Sequence, residues 1–427
     1  MEALVMLIAL FGLLLAGIPI AFSIGIAVLS VLVITDVPMM IFAQRAANAA
    51  DSFALLSIPL FILAGELMNR GGLTERLVGF ARSLIGHLRG GLGQTCVLSS
   101  LIFANVSGSA VADTTAVGSV MVPSMIRTGY KPAFAASLQA SAGLLAPIVP
   151  PSILLILYGS MVNVSIGGLF LGALIPGYLI ALCLMVAVYI FTGPRYQPGI
   201  VREKFAGFKV IRHATLAALP ALGMPVIIVA GIAGGIFTAT EAGAIAVAYA
   251  FLIGRFIYKQ VNMKDLPEIL LNAASVTVMV MAIIVFAAVF GWLLAWQNVP
   301  EKITLAITAL TSDKYAFLAI VIVFILLLGT VMEVLAIATI FGPLLHTLAM
   351  GYGFDPIFFG VLLAILMQIG GITPPVGILL SITCGMAGTK PGQCLPYISV
   401  FVTAIMAVVV LLIIFPSLAT FLPRLLL

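Results

Sequence analysis

Residues 99–152 read SSLIFANVSGSAVADTTAVGSVMVPSMIRTGYKPAFAASLQASAGLLAPIVPPS, and this stretch decides the fold. It is apolar enough to enter a membrane, yet it is broken twice. The first break is the small, polar run Asn105-Val106-Ser107-Gly108-Ser109-Ala110, closed by Asp113-Thr114-Thr115. The second is Ala146-Pro147-Ile148-Val149-Pro150-Pro151-Ser152. A lipid-facing helix tolerates neither, because each freed backbone group costs several kcal/mol in hydrocarbon. Such breaks persist where they line a protein cavity, and in transporters that cavity is the substrate and ion site.

The pattern recurs further along. Gly370-Gly371-Ile372-Thr373-Pro374-Pro375-Val376-Gly377 echoes the second break, and Pro343, Gly351-Tyr352 and Pro356 echo Pro123, Gly129-Tyr130 and Pro132. With Pro343 laid on Pro123, Glu333 falls on Asp113. Near the N-terminus, Gly17-Ile18 and Gly25-Ile26-Ala27 resemble Gly235-Ile236 and Gly243-Ala244-Ile245. These colinear matches predict an internal duplication of about half the chain.

Hydrophobic residues make up 63% of the 427 positions, charged residues only 8%, and the mean hydropathy is +1.30. This composition predicts an all-α, polytopic membrane protein with no separate soluble domain. The net charge of +5 reflects topology and gives no support to nucleic-acid binding. Cys96, Cys183, Cys384 and Cys394 match no metal spacing and read as free thiols. The N-terminus lacks a basic region and a convincing cleavage site, so the first apolar segment reads as a retained helix.

In order, passes are expected at 3–16, 18–35 and 52–69, then an amphipathic interface helix at 73–89. A re-entrant hairpin follows at 91–128, a broken helix at 131–162 and a plain pass at 168–192. A basic cytoplasmic linker, 193–213, joins the first repeat (1–192) to the second (214–427). The second repeats the plan: passes at 214–235, 237–258 and 270–296, a surface helix at 299–311, a hairpin at 316–349, a broken helix at 355–387 and a last pass at 393–422. Each repeat then crosses the membrane an odd number of times, so the two have inverted topology. With the N-terminus outside, fifteen Lys and Arg residues fall on the inner face and only Arg45, Lys302, Lys314 and Arg424 on the outer, in accord with the positive-inside rule. The C-terminus is then outside as well.

Candidate chemistry gathers at the breaks. Asn105, Ser107, Gly108 and Ser109 offer oxygens at one hairpin tip, and Pro147 and Pro150 belong to a break whose carbonyls cannot all be paired, since proline removes donors. Gly329 and Thr330 stand in the same relation to Gly370, Gly371 and Thr373. Both sets are expected to hold sodium, a hard cation that prefers oxygen ligands. Ser109, Asp113, Thr114, Ser152, Thr330, Glu333 and Thr373 are the candidate substrate contacts. A carboxylate at membrane depth is a functional candidate by default, although Asp113 also reads as a helix cap. Glu241 reads as half of a capping box with Thr238. No nucleophile–base pair, metal cluster or nucleotide loop occurs, so the chain does not read as an enzyme.

These residues resemble the large membrane subunit of tripartite ATP-independent periplasmic (TRAP) transporters, the DctM-like permeases. The likeness rests on Ser57-Ile58-Pro59-Leu60-Phe61-Ile62-Leu63-Ala64-Gly65, Ser107-Gly108-Ser109-Ala110-Val111-Ala112-Asp113, the two proline breaks, and Gly235-Ile236-Phe237-Thr238-Ala239-Thr240-Glu241-Ala242. Thr240 departs from it, since many relatives have proline there. The resemblance implies a bacterial inner-membrane transporter driven by a sodium gradient, with sodium as coupling ion and no other cofactor. It further implies an elevator mechanism, a DctQ-like small membrane subunit, and a DctP-like periplasmic binding protein that delivers a small organic acid. A stand-alone sodium- or proton-coupled carboxylate transporter of the same superfamily is the alternative.

Overall fold

The computed structural model describes residues 2–427 apart from Pro194, Pro198, Arg202, Pro375 and Val376. Arg202 of the basic count and the Pro375-Val376 step of the repeated break therefore lie outside the described residues. Those described form helices and connections, with no strand among them. The first half contains α1 (Glu2–Leu15), α2 (Ile20–Ile34), α3 (Met39–Ala50), α4 (Ser57–Arg70), α5 (Leu73–Ile85), α6 (Gly91–Ser107), α7 (Ala110–Arg127), α8 (Pro132–Gly143), α9 (Ile153–Val162) and α10 (Ile166–Phe191). The second contains α11 (Phe208–Ala233), α12 (Ala239–Leu252, continued by a wider turn over Ile253–Ile257), α13 (Leu266–Trp296), α14 (Val299–Leu310), α15 (Lys314–Gly329), α16 (Val334–Gly351), α17 (Pro356–Ile372), α18 (Ile378–Ala387), α19 (Pro391–Ile414) and α20 (Ser417–Leu426). Among the described residues six helices are long and apolar enough to cross a membrane, or seven if the bent pair at 39–70 counts as one span. The chain is a membrane protein.

Local chemistry sets the boundaries. Asp313 and Asp355 cap α15 and α17, each accepting two backbone N–H groups at 2.8–3.1 Å. Pro132 and Pro356 start their helices where a missing N–H costs nothing. Thr238 and Glu241 form the complete capping box at the start of α12.

The helices pack in two groups, and both draw on both halves of the chain. In one, α4 lies along α12 and α13, α2 packs on α1 and α13, and α11 on α12. In the other, α8 is surrounded by α6, α7, α18 and α19, while α9 packs on α16 and α10 on α6, α19 and α20. Phe134, fully buried, meets Tyr130, Tyr397 and Phe401 at the centre of the second group.

Three expectations are revised, and one helix is added where none was expected. Residues 393–422 are not one pass: Pro416 removes an N–H and keeps Phe415 out of the helical conformation, so the chain turns and α20 packs back on α10. Residues 39–50 form α3, which has no buried residue and rests on α13. The apolar stripe of α5 does not lie free at an interface, since Leu73, Leu77, Val78 and Ala81 are buried and the helix packs between α6 and α11. The 193–213 linker is helical from Phe208, and its earlier part is pinned, Gln197 Oε1 accepting from the Lys131 N–H at 3.1 Å and Glu203 pairing with Arg82.

Candidate functional site

The tip between α6 and α7 is two residues long. Gly108 adopts φ +60°, and a Cβ there would stand 2.5 Å from the Pro151 carbonyl oxygen, so only glycine lets this tip reach the second break. Ser109 follows as the cap of α7, its Oγ accepting from the Ala112 N–H at 3.4 Å. In the break itself Ser152 caps α9, accepting from Leu155 N–H at 3.1 Å and donating to the Pro147 carbonyl at 2.5 Å. Among the described residues no hydrogen bond reaches the carbonyls of Val149, Pro150 or Pro151.

The second tip meets the other break in the same manner but through glycine on both sides: a Cβ on Gly329 would lie 2.6 Å from Gly370 Cα. Glu333 caps α16, its carboxylate accepting from the N–H groups of Leu335 and Ala336 at 3.0 and 3.3 Å.

Both tips and both breaks converge on one cavity of about 390 Å³. The N-terminal residues of α7, α9, α16 and α18 line it, so four helix starts, each with its partial positive charge, face the same space. Its opposite wall comes from the other group of helices: Ile62, Gly65, Glu66 and Asn69 of α4, and Val276 and Val280 of α13.

Of the residues singled out from sequence, Ser107, Gly108, Ser109, Pro147, Gly329, Glu333 and Gly371 line this cavity. The others stand behind it. Asn105 is buried and donates to Leu101 O at 2.7 Å; Thr330 and Thr373 return their hydroxyls to Leu327 O and Ile369 O. Pro150, Ser152 and Gly370 are buried in the breaks. Thr114 is buried in contact with Gly143. Asp113 does not cap α7, because Ser109 does. It is fully buried, with Ser100 and Cys96 close by, and neither of its carboxylate oxygens has a hydrogen-bond partner among the described residues.

Sequence reasoning gave no site role to four polar lining residues, Glu66, Asn69, Thr115 and Gln368. Each is a polar side chain inside an apolar segment, which was the available signal. Glu66 Oε1 lies 3.6 Å from Arg70 Nε and 3.5 Å from Asn272 Nδ2, while Arg70 itself is hydrogen-bonded to Glu268. On the other side of the molecule a second, open crevice of about 630 Å³ separates the two helix groups. There Ser52 Oγ and Ser160 Oγ are 3.3 Å apart. Within the second group, Tyr158 links the halves, its hydroxyl 2.7 Å from His346 Nδ1.

Residues 7–418 match the family described as the tripartite ATP-independent periplasmic transporter, DctM component. The chain belongs to the TRAP large-permease family. The permease is 37% identical over 421 residues to the 2,3-diketo-L-gulonate TRAP transporter large permease protein of Escherichia coli, covering 98% of each chain. It is 35% identical over 417 residues to the sialic acid TRAP transporter large permease protein of Vibrio cholerae, covering 97% of this chain and 96% of that one. Against the isethionate TRAP transporter permease protein DctMQ of Oleidesulfovibrio alaskensis it is 36% identical over 409 residues, 96% of its own length but only 64% of that protein's. Among solved structures, the Alcanivorax borkumensis YdaH transporter shares the fold, with a TM-score of 0.61 at 16% identity and coverage of 89% and 88%.

Proposed function

We propose that the permease is the large membrane subunit of a sodium-gradient-driven uptake system in the bacterial inner membrane. It receives a small organic acid from a periplasmic binding protein and works with a small membrane subunit. The observation that carries this reading is the convergence of two hairpin tips and two helix breaks on one cavity. Helix starts favour an anion, and carbonyls released by prolines favour cations, so both cargoes find partners without a buried lysine or arginine.

In this reading the first tip and break hold sodium through Ser107, Gly108, Ser109 and the free carbonyls of Val149, Pro150 and Pro151, beside Pro147 and with Asn105 behind them. Gly329, Thr330, Gly370, Gly371 and Thr373 hold it in the second. Asp113, buried and unpartnered, is the negative charge that a bound cation offsets. The acid is taken by Ser109, Glu333 and the helix starts, with Thr114, Ser152, Thr330 and Thr373 shaping the site from behind.

The two halves are read as inverted repeats. The group built on α8 and α17 is then the moving body of an elevator, and the group built on α4, α12 and α13 the fixed one. Glu66 and Asn69 line the cavity at the end of α4 that the charge distribution assigns to the cytoplasm, so this conformation is read as inward-facing. Both termini then lie outside.

The test is uptake of labelled organic acid into proteoliposomes carrying the permease and its small subunit, with the binding protein outside and an imposed sodium gradient. Accumulation that collapses with the gradient is expected, and accumulation indifferent to sodium would overturn the coupling. Uptake that persists without the binding protein would favour the stand-alone alternative.

A further inference from the structure

The relatives act, by their names, on a sugar-derived acid, sialic acid, isethionate and C4-dicarboxylates at nearly equal identity, so similarity does not choose among them. The cavity does. Among its described lining residues there is no lysine, arginine or histidine, but there are two carboxylates, Glu333 from one helix group and Glu66 from the other. Each broken helix also carries a glutamine four residues before its end: Gln139 in α8, which ends at Gly143, and Gln368 in α17, which ends at Ile372. Both are buried. Gln139 is fully engaged, its Oε1 3.0 Å from Cys96 Sγ and its Nε2 3.4 Å from Ser100 Oγ. Gln368 lines the cavity at 2% exposure, and its Oε1 has no hydrogen-bond partner among the described residues. A buried acceptor left unpaired is costly, and a ligand donor removes the cost.

The helix starts differ too. Those of α7, α9 and α16 are closed by Ser109, Ser152 and Glu333, whereas α18 begins at Gly377 with no side-chain cap. Gly377, Ile378 and Leu379 face the same cavity as Gln368.

From Gln368 and this distribution of charge we propose that the permease selects a monocarboxylate bearing hydroxyl or amino donors, and disfavours a plain dicarboxylate. The carboxylate sits at the open start of α18. The donor-bearing remainder meets Gln368 Oε1 and the Glu333 carboxylate. A second carboxylate would instead face the Glu333 carboxylate, a like charge, while Glu66 across the cavity is already paired with Arg70. Gln368 is thus the residue that reads the substrate. The inference rests on the transport reading above and adds the class of acid.

The experiment uses the purified permease with its small subunit in sodium buffer, titrated with D-gluconate and with succinate. Gluconate is expected to bind at least ten-fold more tightly than succinate. Gln368→Leu should lose about ten-fold in gluconate affinity and Gln368→Asn less, with the sodium-induced thermal shift unchanged in both. Glu333→Gln should narrow the gap between the two acids. Equal or tighter succinate binding, no measurable gluconate binding, or unchanged gluconate affinity in Gln368→Leu would overturn the proposal. If Gln368→Leu does not insert, Gln368→Asn carries the same comparison. Sodium-driven uptake that prefers succinate would sink this inference alone, whereas loss of sodium dependence with gluconate binding intact would sink only the transport reading.

Discussion

Ser109 closes the first hairpin tip with a hydroxyl, and its break is closed by another hydroxyl, Ser152. Glu333 closes the second tip with a carboxylate, and its break opens into α18 through an uncapped Gly377. The same contrast runs deeper. Gln139 in the first broken helix is satisfied within the protein, whereas Gln368 in the second is left without a partner at the cavity wall. The contrast is confined to this pair of glutamines, since the first half also buries unpartnered polar atoms on Gln94, Ser99, Asp113 and Thr114. In the proposed reading both tips hold sodium, and the second break adds an open helix start and an unpaired glutamine for the cargo.

The contrast can be broken most severely at the glycines. Gly108→Ala places a side chain at φ +60° and against the Pro151 carbonyl, and Gly370→Ala drives one into the Gly329 backbone. Strain of this kind costs about 1–3 kcal/mol. Because it separates tip from break, sodium-driven uptake should fall more than about ten-fold in both, a factor of ten being about 1.4 kcal/mol. Near-normal uptake by well-inserted Gly108→Ala would show that close approach is dispensable in the first half.

Asp113→Asn should come next. It removes the buried charge proposed to offset a cation, so half-saturation by sodium should rise about ten-fold, the equivalent of about 1.4 kcal/mol. Glu333→Gln should leave sodium activation nearly unchanged. If the two variants shift sodium activation equally, the charge role given to Asp113 alone fails. Gln139→Leu should be smaller still and act on stability alone: it strands Cys96 and Ser100, at about 1–3 kcal/mol, and lowers the thermal midpoint without altering the preference between gluconate and succinate. Ser152→Ala removes one cap and should cost about 1 kcal/mol, read as a lower midpoint with sodium dependence intact.

Much of this architecture was legible from residue pattern. Gly90-Gly91 and Gly129 bracket α6 and α7, so the first hairpin ends where its glycines stand. Laying Glu333 on Asp113 was misleading because proline spacing does not preserve register. Pro123 lies 14 residues after the cap Ser109 (123 − 109), whereas Pro343 lies only 10 after the cap Glu333 (343 − 333), so the proline sits about one turn earlier in α16 than in α7. Glu66 and Gln368 passed unnoticed because single polar residues in apolar runs carry no periodic signal, and only packing distinguishes a lining side chain from a buried one. The helix α3 was invisible for the opposite reason, having no buried face to impose a pattern.

The hydroxyl contact between Ser52 and Ser160 bears on direction. It spans the two helix groups at 3.3 Å, on the side away from the cavity, and a bond of this kind contributes about 0.5–1.5 kcal/mol net. Under the proposed cycle it breaks and reforms at every turnover, with water replacing each partner when it opens. A latch so weak holds neither conformation for long and works alike in both senses. Which way the cycle runs is then decided by the ions and acid in the cavity, and reversing the sodium gradient should reverse the flow through an unaltered seam.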